Sequence, residues 1–166
     1  YVDIDCHHGD GVEAAFVGSD QVLTISLHES GEFLFPGTGF YEQMGFGRGL
    51  GYTVNLPLHP YTDDEVYEWA FMQIVPPIVQ AFRPDILVSQ IGIDTHFRDP
   101  ITHLRLTVQG FENLIHQLSL LSPGSWLVLG GGGYDLKAVI QGWTVAYGVI
   151  LDELWPDKPP KSFQRQ

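Results

Sequence analysis

The sequence predicts an α/β domain with a mostly parallel sheet, and three observations predict it. Strand-like and helix-like segments alternate along the chain, with no internal repeat and no low-complexity tract. Ile86 to Ile93 is a nearly continuous apolar run, the pattern of a central strand covered on both faces. Polar residues able to do chemistry cluster where the strands end, and ligands gather at the carboxyl ends of strands in such sheets.

In chain order, Tyr1 to Cys6 alternates apolar and acidic residues and reads as a strand, and Gly11 to Phe16 offers a short helix. Gln21 to Leu27 is a second strand, carrying Val22, Leu23, Ile25 and Leu27. From His28 to Gly51 the composition turns to glycine and aromatics, a long irregular stretch of the kind that is usually functional inside a compact domain. Gly51 to Leu56 is a third strand. Thr62 is the expected N-cap of a helix running toward Phe82, with Asp63, Asp64 and Glu65 in its first turn, where negative charge meets the positive helix end. Pro76 and Pro77 predict a kink or break in it, because each removes a backbone donor. Thr107 to Leu121 reads as a helix, Trp126 to Leu129 as another buried strand and Asp135 to Leu154 as a closing helix, with Pro156 to Pro160 as a terminal linker.

With 166 residues, 44% hydrophobic and 17% charged, the chain can build one sizeable core. Its 8 basic and 20 acidic residues, a formal charge of −12, argue against a nucleic-acid partner, which requires a basic face. The single cysteine, Cys6, excludes an internal disulfide and suits a reducing compartment, so a cytoplasmic location is expected. Apolar runs fall short of the roughly 20 residues that cross a bilayer. The opening Tyr1-Val2-Asp3-Ile4-Asp5 reads as a strand already under way, from which missing upstream residues are expected.

Three constellations carry chemistry. In Asp3-Ile4-Asp5-Cys6-His7-His8-Gly9-Asp10-Gly11, strand alternation would project Asp3, Asp5 and His7 to one side and turn Cys6 away as a small hydrophobe. Burying adjacent carboxylates is costly unless a cation neutralises them, and the Asp-x-His pair suits zinc or a similar divalent ion. Asp94 emerges at the end of the Ile86 to Ile93 strand, where a lone carboxylate reads as a cap of the following segment; taken with Asp5 and His7 it brings the set to three N/O donors, the count of an open catalytic site. The run Gly130 to Gly133 permits close backbone approach to a ligand, and lacks the Lys-Ser/Thr of a phosphate-binding loop. Tyr134 then stands where a phenol can donate to a polarised carbonyl oxygen, with aromatic packing as its other reading. His59, His103 and His116 read as surface residues, and His28 and His96 as hydrogen-bonded supports of the site.

Taken in order, Asp3 to Gly11, Ser26-Leu27-His28, Phe35-Pro36-Gly37-Thr38-Gly39, Asp94 with Asp99-Pro100, and Gly130 to Tyr134 resemble the signatures of class I-like histone deacetylases and bacterial acetoin-utilisation deacetylases. The resemblance implies a three-layer α/β/α, arginase/deacetylase-like fold, incomplete at the N-terminus. Residues 1–155 would be a partial catalytic core and residues 156–166 a tail. It implies Asp5, His7 and Asp94 as ligands of zinc, with ferrous iron as the alternative, and Tyr134 as the residue that polarises the acetyl carbonyl. Phe35, Gly132, Gly133 and Ile101 would line a narrow acyl channel, Ile101 having ordinary packing as its alternative role. Potassium would sit at an inner site around Asp3, Asp5, His7, Ser26 and Leu27 and an outer one around Phe16, Ser19, Val22 and Tyr52.

The family's acid/base histidine pair precedes the first strand and is not in this sequence. Asp3 and Asp10 would be the carboxylates that orient it. The chain alone is therefore expected to bind metal weakly and turn over little. Acetylated lysine or an acetylated small amine is the implied substrate, without nucleic acid or membrane as a partner. The sequence leaves open the oligomeric state, a non-catalytic metal-binding module on the same fold, an arginase-like two-metal site and, more remotely, a nucleotide-binding domain.

Overall fold

A computed structural model describes residues 1–153 of the chain. The closing helix ends at Ile150, short of its expected end at Leu154, and Leu154 and the expected tail lie outside the described residues. Five parallel strands form one sheet in the order β3-β2-β1-β4-β5: β1 Val2–Asp3, β2 Thr24–Glu29, β3 Thr53–Leu58, β4 Leu87–Gln90 and β5 Trp126–Leu129. Four α-helices accompany them: α1 Asp10–Phe16, α2 Asp64–Phe82, α3 Val108–Leu121 and α4 Leu136–Ile150. The predicted α/β class is the one observed.

The strand order explains where the site lies. From β1 the chain moves to β2 and β3 on one side, and from β3 it crosses back to β4 and β5 on the other. Right-handed crossovers then send α1 to one face of the sheet and α2 and α3 to the opposite one. The two directions diverge between β1 and β4, and that divergence opens a crevice at their carboxyl ends. The segments leaving β1 and β4 are the ones that carry Asp5, His7 and Asp94.

The two sheet faces differ in chemistry. On one, Val2, Ile25, Leu27 and Leu87 pack with Tyr67, Phe71, Val75, Phe111, Leu114 and Ile115 of α2 and α3 in a core of fully buried side chains. On the other, Asp3, Ser26 and Gln90 share a row, and Glu13 of α1 accepts from Asn55 Nδ2 at 2.7 Å. Asp64 ties α2 to α3 by accepting from Thr107 N at 2.8 Å and Thr107 Oγ1 at 2.6 Å, while Thr107 itself caps α3 through Gly110 N.

Several expectations need correction. The first strand stops at Asp3, because the Asp3 and Asp5 side chains accept from the backbone N–H two residues on, at 3.0 and 2.9 Å, and bend the chain into successive turns. The α2 cap is Asp63, whose carboxylate accepts from Val66 N; Thr62 instead donates to the His59 carbonyl. α2 runs unbroken through Pro76 and Pro77. The carbonyls they orphan belong to Met72 and Gln73, both exposed to water, while Phe71, Val75 and Val79 anchor the helix on either side. β4 is shorter than the apolar run suggested, and Ile86 is exposed. β5 is not a buried strand but the sheet's edge, with Leu127 and Leu129 open to solvent. Pro57 sits in β3, the opposite edge, where a missing donor is tolerated.

Candidate metal centre

The turns after β1 aim Asp5 and His7 at the end of β4. His7 Nδ1 lies 2.9 Å from Asp5 Oδ1 and 3.2 Å from Asp94 Oδ2. Donors held tetrahedrally at zinc-like bond lengths stand about 3.4 Å apart, so these three atoms already have the spacing of ligands to one ion. Asp5, Cys6, His7 and Asp94 place a donor atom each within 4.8 Å of one another. Cys6 belongs in that count because the chain turns here. Its Sγ, fully buried, lies 3.3 Å from His7 Nδ1, not on the far side of a strand as alternation predicted.

Asp94 is held by one oxygen and presents the other, whereas Asp5 is held by both, its Oδ1 accepting from His7 N and also facing the His7 ring. Asp94 Oδ1 accepts from Cys6 N at 2.9 Å. Its Oδ2 is buried and has no hydrogen-bond partner; the contact with His7 Nδ1 is close but not in bonding geometry. Asp5 Oδ2 accepts from Gln90 Nε2 at 2.7 Å and Gly132 N at 2.9 Å, leaving Oδ1 toward His7. A Cβ on Gly132 would strike Asp94 Oδ2 and lie 3.1 Å from Asp5 Oδ2, and one on Gly92 would strike Asp5 Oδ2. An orphaned buried carboxylate oxygen, a glycine-walled cradle and an O/N donor set fit a divalent cation.

The electrostatics agree. Burial works against a charged Asp5, but bonds from His7, Gln90 and the Gly132 amide outweigh it and hold the carboxyl well below its usual range. Burial raises Asp94, and the neighbouring Asp5 charge adds to the rise. The hydrogen bond to Asp5 and the close Asp94 carboxylate push His7 up to about 10, a measure of how strongly this pair of carboxylates draws positive charge. Burial also pushes Asp3 up to about 7.

Tyr134 follows the glycine run. Its backbone N donates to Asp99 Oδ2 at 2.8 Å, its ring is half exposed, and burial followed by the Asp94 and Asp5 charges raises its phenol above the ordinary value. Gly133 has φ +154, and a Cβ there would meet Ile93 and Val139 at 2.7 and 2.8 Å. Phe35 and Ile101 are exposed, at 78% and 41%. Asp3 is buried, accepting from Tyr1 Oη at 2.6 Å; Asp10 is exposed in the first turn of α1.

Ser26 pairs with Asp3 across the sheet, and its Oγ accepts from Gly9 N; the Leu27 carbonyl accepts from Tyr67 Oη. Phe16 and Val22 border a cavity at the opposite end of the sheet, the Phe16 carbonyl accepting from Ser19 N and the Tyr52 carbonyl from Thr24 N. His28 and His96 are buried, while His59 and His116 are exposed. His103 bonds through Nδ1 to buried Glu29 at 2.7 Å. Sequence reasoning passed over Gln90, Gly92 and Glu29. A polar Gln90 closing an apolar strand was the signal available for the first.

A parallel α/β sheet with a carboxylate–imidazole–carboxylate cluster at its divergence point and a Gly-Gly-Gly-Gly-Tyr loop beside it defines a deacetylase-type fold. Residues 1–150 match the histone deacetylase domain, and the chain belongs to that family. It is 41% identical over 160 residues to the acetoin utilization protein AcuC of Staphylococcus xylosus, covering 93% of this chain and 42% of that protein. The crystal structure of an HDAC homolog complexed with SAHA superposes with TM-score 0.92 at 30% identity, covering 99% of this chain and 44% of that one. The HD domain of HDA15 gives TM-score 0.87 at 34% identity, covering 99% and 46%. The chain thus spans under half the length of these relatives. Among the described residues no helix is long and apolar enough to cross a membrane.

Proposed function

We propose that this chain supplies the metal-holding and carbonyl-polarising part of a deacetylase that removes acetyl groups from acetyl-lysine or a similar N-acetylated amine. The observation that carries the reading is the convergence of Asp5, His7 and Asp94, with Asp94 Oδ2 buried and unbonded among them. A bound zinc or ferrous ion would supply Lewis acidity and a water of lowered pKa. Asp5, His7 and Asp94 would hold it, with Gln90 and the Gly132 amide orienting Asp5 and the Cys6 amide orienting Asp94.

Tyr134 would donate its phenolic hydrogen to the acetyl oxygen as charge builds there, a proton that a tyrosine, with an ordinary pKa of about 10, keeps at neutral pH. Phe35, Gly132, Gly133 and Ile101 would border the acyl channel. The acid/base histidines would come from upstream of Tyr1, oriented by Asp3 and Asp10. Potassium is assigned to the inner group Asp3, Asp5, His7, Ser26 and Leu27 and the outer group Phe16, Ser19, Val22 and Tyr52, and the setting to the cytoplasm. The names of the relatives support the reaction class: one is an acetoin utilization protein, another an HDAC homolog that binds SAHA.

The test is acetate release from an acetyl-lysine peptide by the upstream-extended gene product, with Tyr134→Phe and Asp94→Asn beside it. Both variants should lose most activity, and full activity in both overturns the assignment.

A further inference from the structure

The backbone of Tyr134 is held by a residue outside its own loop. Asp99, buried in the segment that follows β4, uses both carboxylate oxygens: Oδ2 accepts from Tyr134 N at 2.8 Å and Oδ1 from Ile101 N at 3.1 Å. Asp99 is itself fixed, its own N donating to the His96 carbonyl at 2.8 Å. Next to it Arg98 reaches Asp135, the cap of α4, at 3.5 Å, an exposed and weak contact. The far end of the same segment is anchored at Glu29, a fully buried carboxylate at the end of β2 that accepts from Thr102 Oγ1, His103 N and His103 Nδ1. Residues 99–103 are therefore strung between two buried carboxylates.

The Tyr134 side chain has no hydrogen-bond partner of its own among the described residues and is half exposed. Its placement depends on its backbone. Gly133 before it has a φ closed to other residues and packs on Ile93 and Val139, and Asp135 after it begins α4. Between those two points the Asp99 bond is the tertiary restraint on the tyrosine's backbone. A carboxylate accepting from two amides is a charge-assisted arrangement, stronger than bonds between neutral groups.

We propose that Asp99 is a positioning residue: it locks the Tyr134 backbone to the segment bearing Ile101, so that the phenol and the channel wall are set as one unit facing the Asp5–His7–Asp94 cluster. The role rests on the deacetylase reading, but the lock itself does not. Misplacing a reacting group by a small distance costs up to about a hundredfold in rate without equal loss of binding.

The experiment pairs two readouts on Asp99→Ala, Tyr134→Phe and the double variant. Residue-resolved amide exchange by NMR, which needs no turnover, should show Tyr134 exchanging about tenfold faster in Asp99→Ala, with Ile25 in the core unchanged. In the upstream-extended gene product, Asp99→Ala should lower kcat between about ten- and a hundredfold with KM within about threefold. In the Tyr134→Phe background the same change should cost under about threefold, because the phenol it positions is gone. Unchanged Tyr134 exchange, or an equal loss in both backgrounds, overturns the proposal. Should Asp99→Ala not fold, Asp99→Asn keeps the volume and one acceptor oxygen, and either Tyr134 or Ile101 must then exchange faster; if neither does, the proposal fails. Full activity of Tyr134→Phe would instead sink the functional reading and leave the exchange result to judge the lock alone.

Discussion

Gly132 sits against Asp94 so closely that a single methyl group on the glycine would collide with Asp94 Oδ2. The same glycine's N–H donates to Asp5 Oδ2 at 2.9 Å, so one residue both orients a candidate ligand and leaves open the space that a cation would need. Gly132→Ala should therefore lower divalent-metal affinity by at least about tenfold, the scale on which orienting contacts act. Isothermal titration with zinc measures it. Gly11→Ala is the control, since a Cβ there meets nothing within 4 Å and the residue lies in the first turn of α1.

Metal should also stabilise the chain by binding the folded state alone. Zinc at about 100 times its dissociation constant contributes about 2.7 kcal/mol. A rise in Tm with zinc, reversed by a chelator, is expected, and Asp94→Asn should abolish the rise. Elemental analysis should return one divalent ion per chain. Two divalent ions would favour an arginase-like centre.

The convergence of Asp5, His7 and Asp94 was legible because burying two carboxylates needs positive charge wherever the strands run, so that expectation survived an error in local geometry. Asp3 to His7 is not the extended strand its alternation suggested, since Asp side chains compete for backbone N–H groups, and that competition brought Cys6 into the cluster. What the pattern could not reveal was coverage. Val128 and Leu129 are equally apolar in sequence, yet only the former packs on the core. Asp99 and Glu29 were invisible as restraints because their partners lie 35 and 73 or more residues away.

A pH dependence follows from His28, which is fully buried, pairs with Ser26 Oγ and the Gly39 carbonyl, and is held down to about 4 by burial. Below the ordinary value of 6.5 the unfolded chain takes a proton that the folded chain refuses. Stability is thus complete above about 6.5 and lost as pH falls toward 4, by on the order of 3 kcal/mol in all. His28→Asn should be less stable at pH 8 yet show a shallower decline from pH 6.5 to 4.5 in urea unfolding. Carboxylate protonation is common to both proteins and cancels in the difference. Parallel declines would show that His28 is not titrating.

The exposed apolar residues have a direct physical consequence. Leu136, Ile140, Trp143 and Tyr147 recur at helical spacing along α4, exposed at 78, 62, 37 and 58%, and Leu127 and Leu129 of edge strand β5 are exposed as well. Large apolar patches on a free surface drive association, and an open strand edge adds unpaired backbone groups to it. The isolated chain should therefore bind a hydrophobic dye in its folded state and self-associate as concentration rises. Leu136→Lys with Ile140→Glu should reduce both effects while leaving Tm within a few degrees, because neither side chain contributes to the buried core. Dye fluorescence and sedimentation velocity measure the two effects, and an unaltered sedimentation profile in the double variant would show that this stripe is not the adhesive surface.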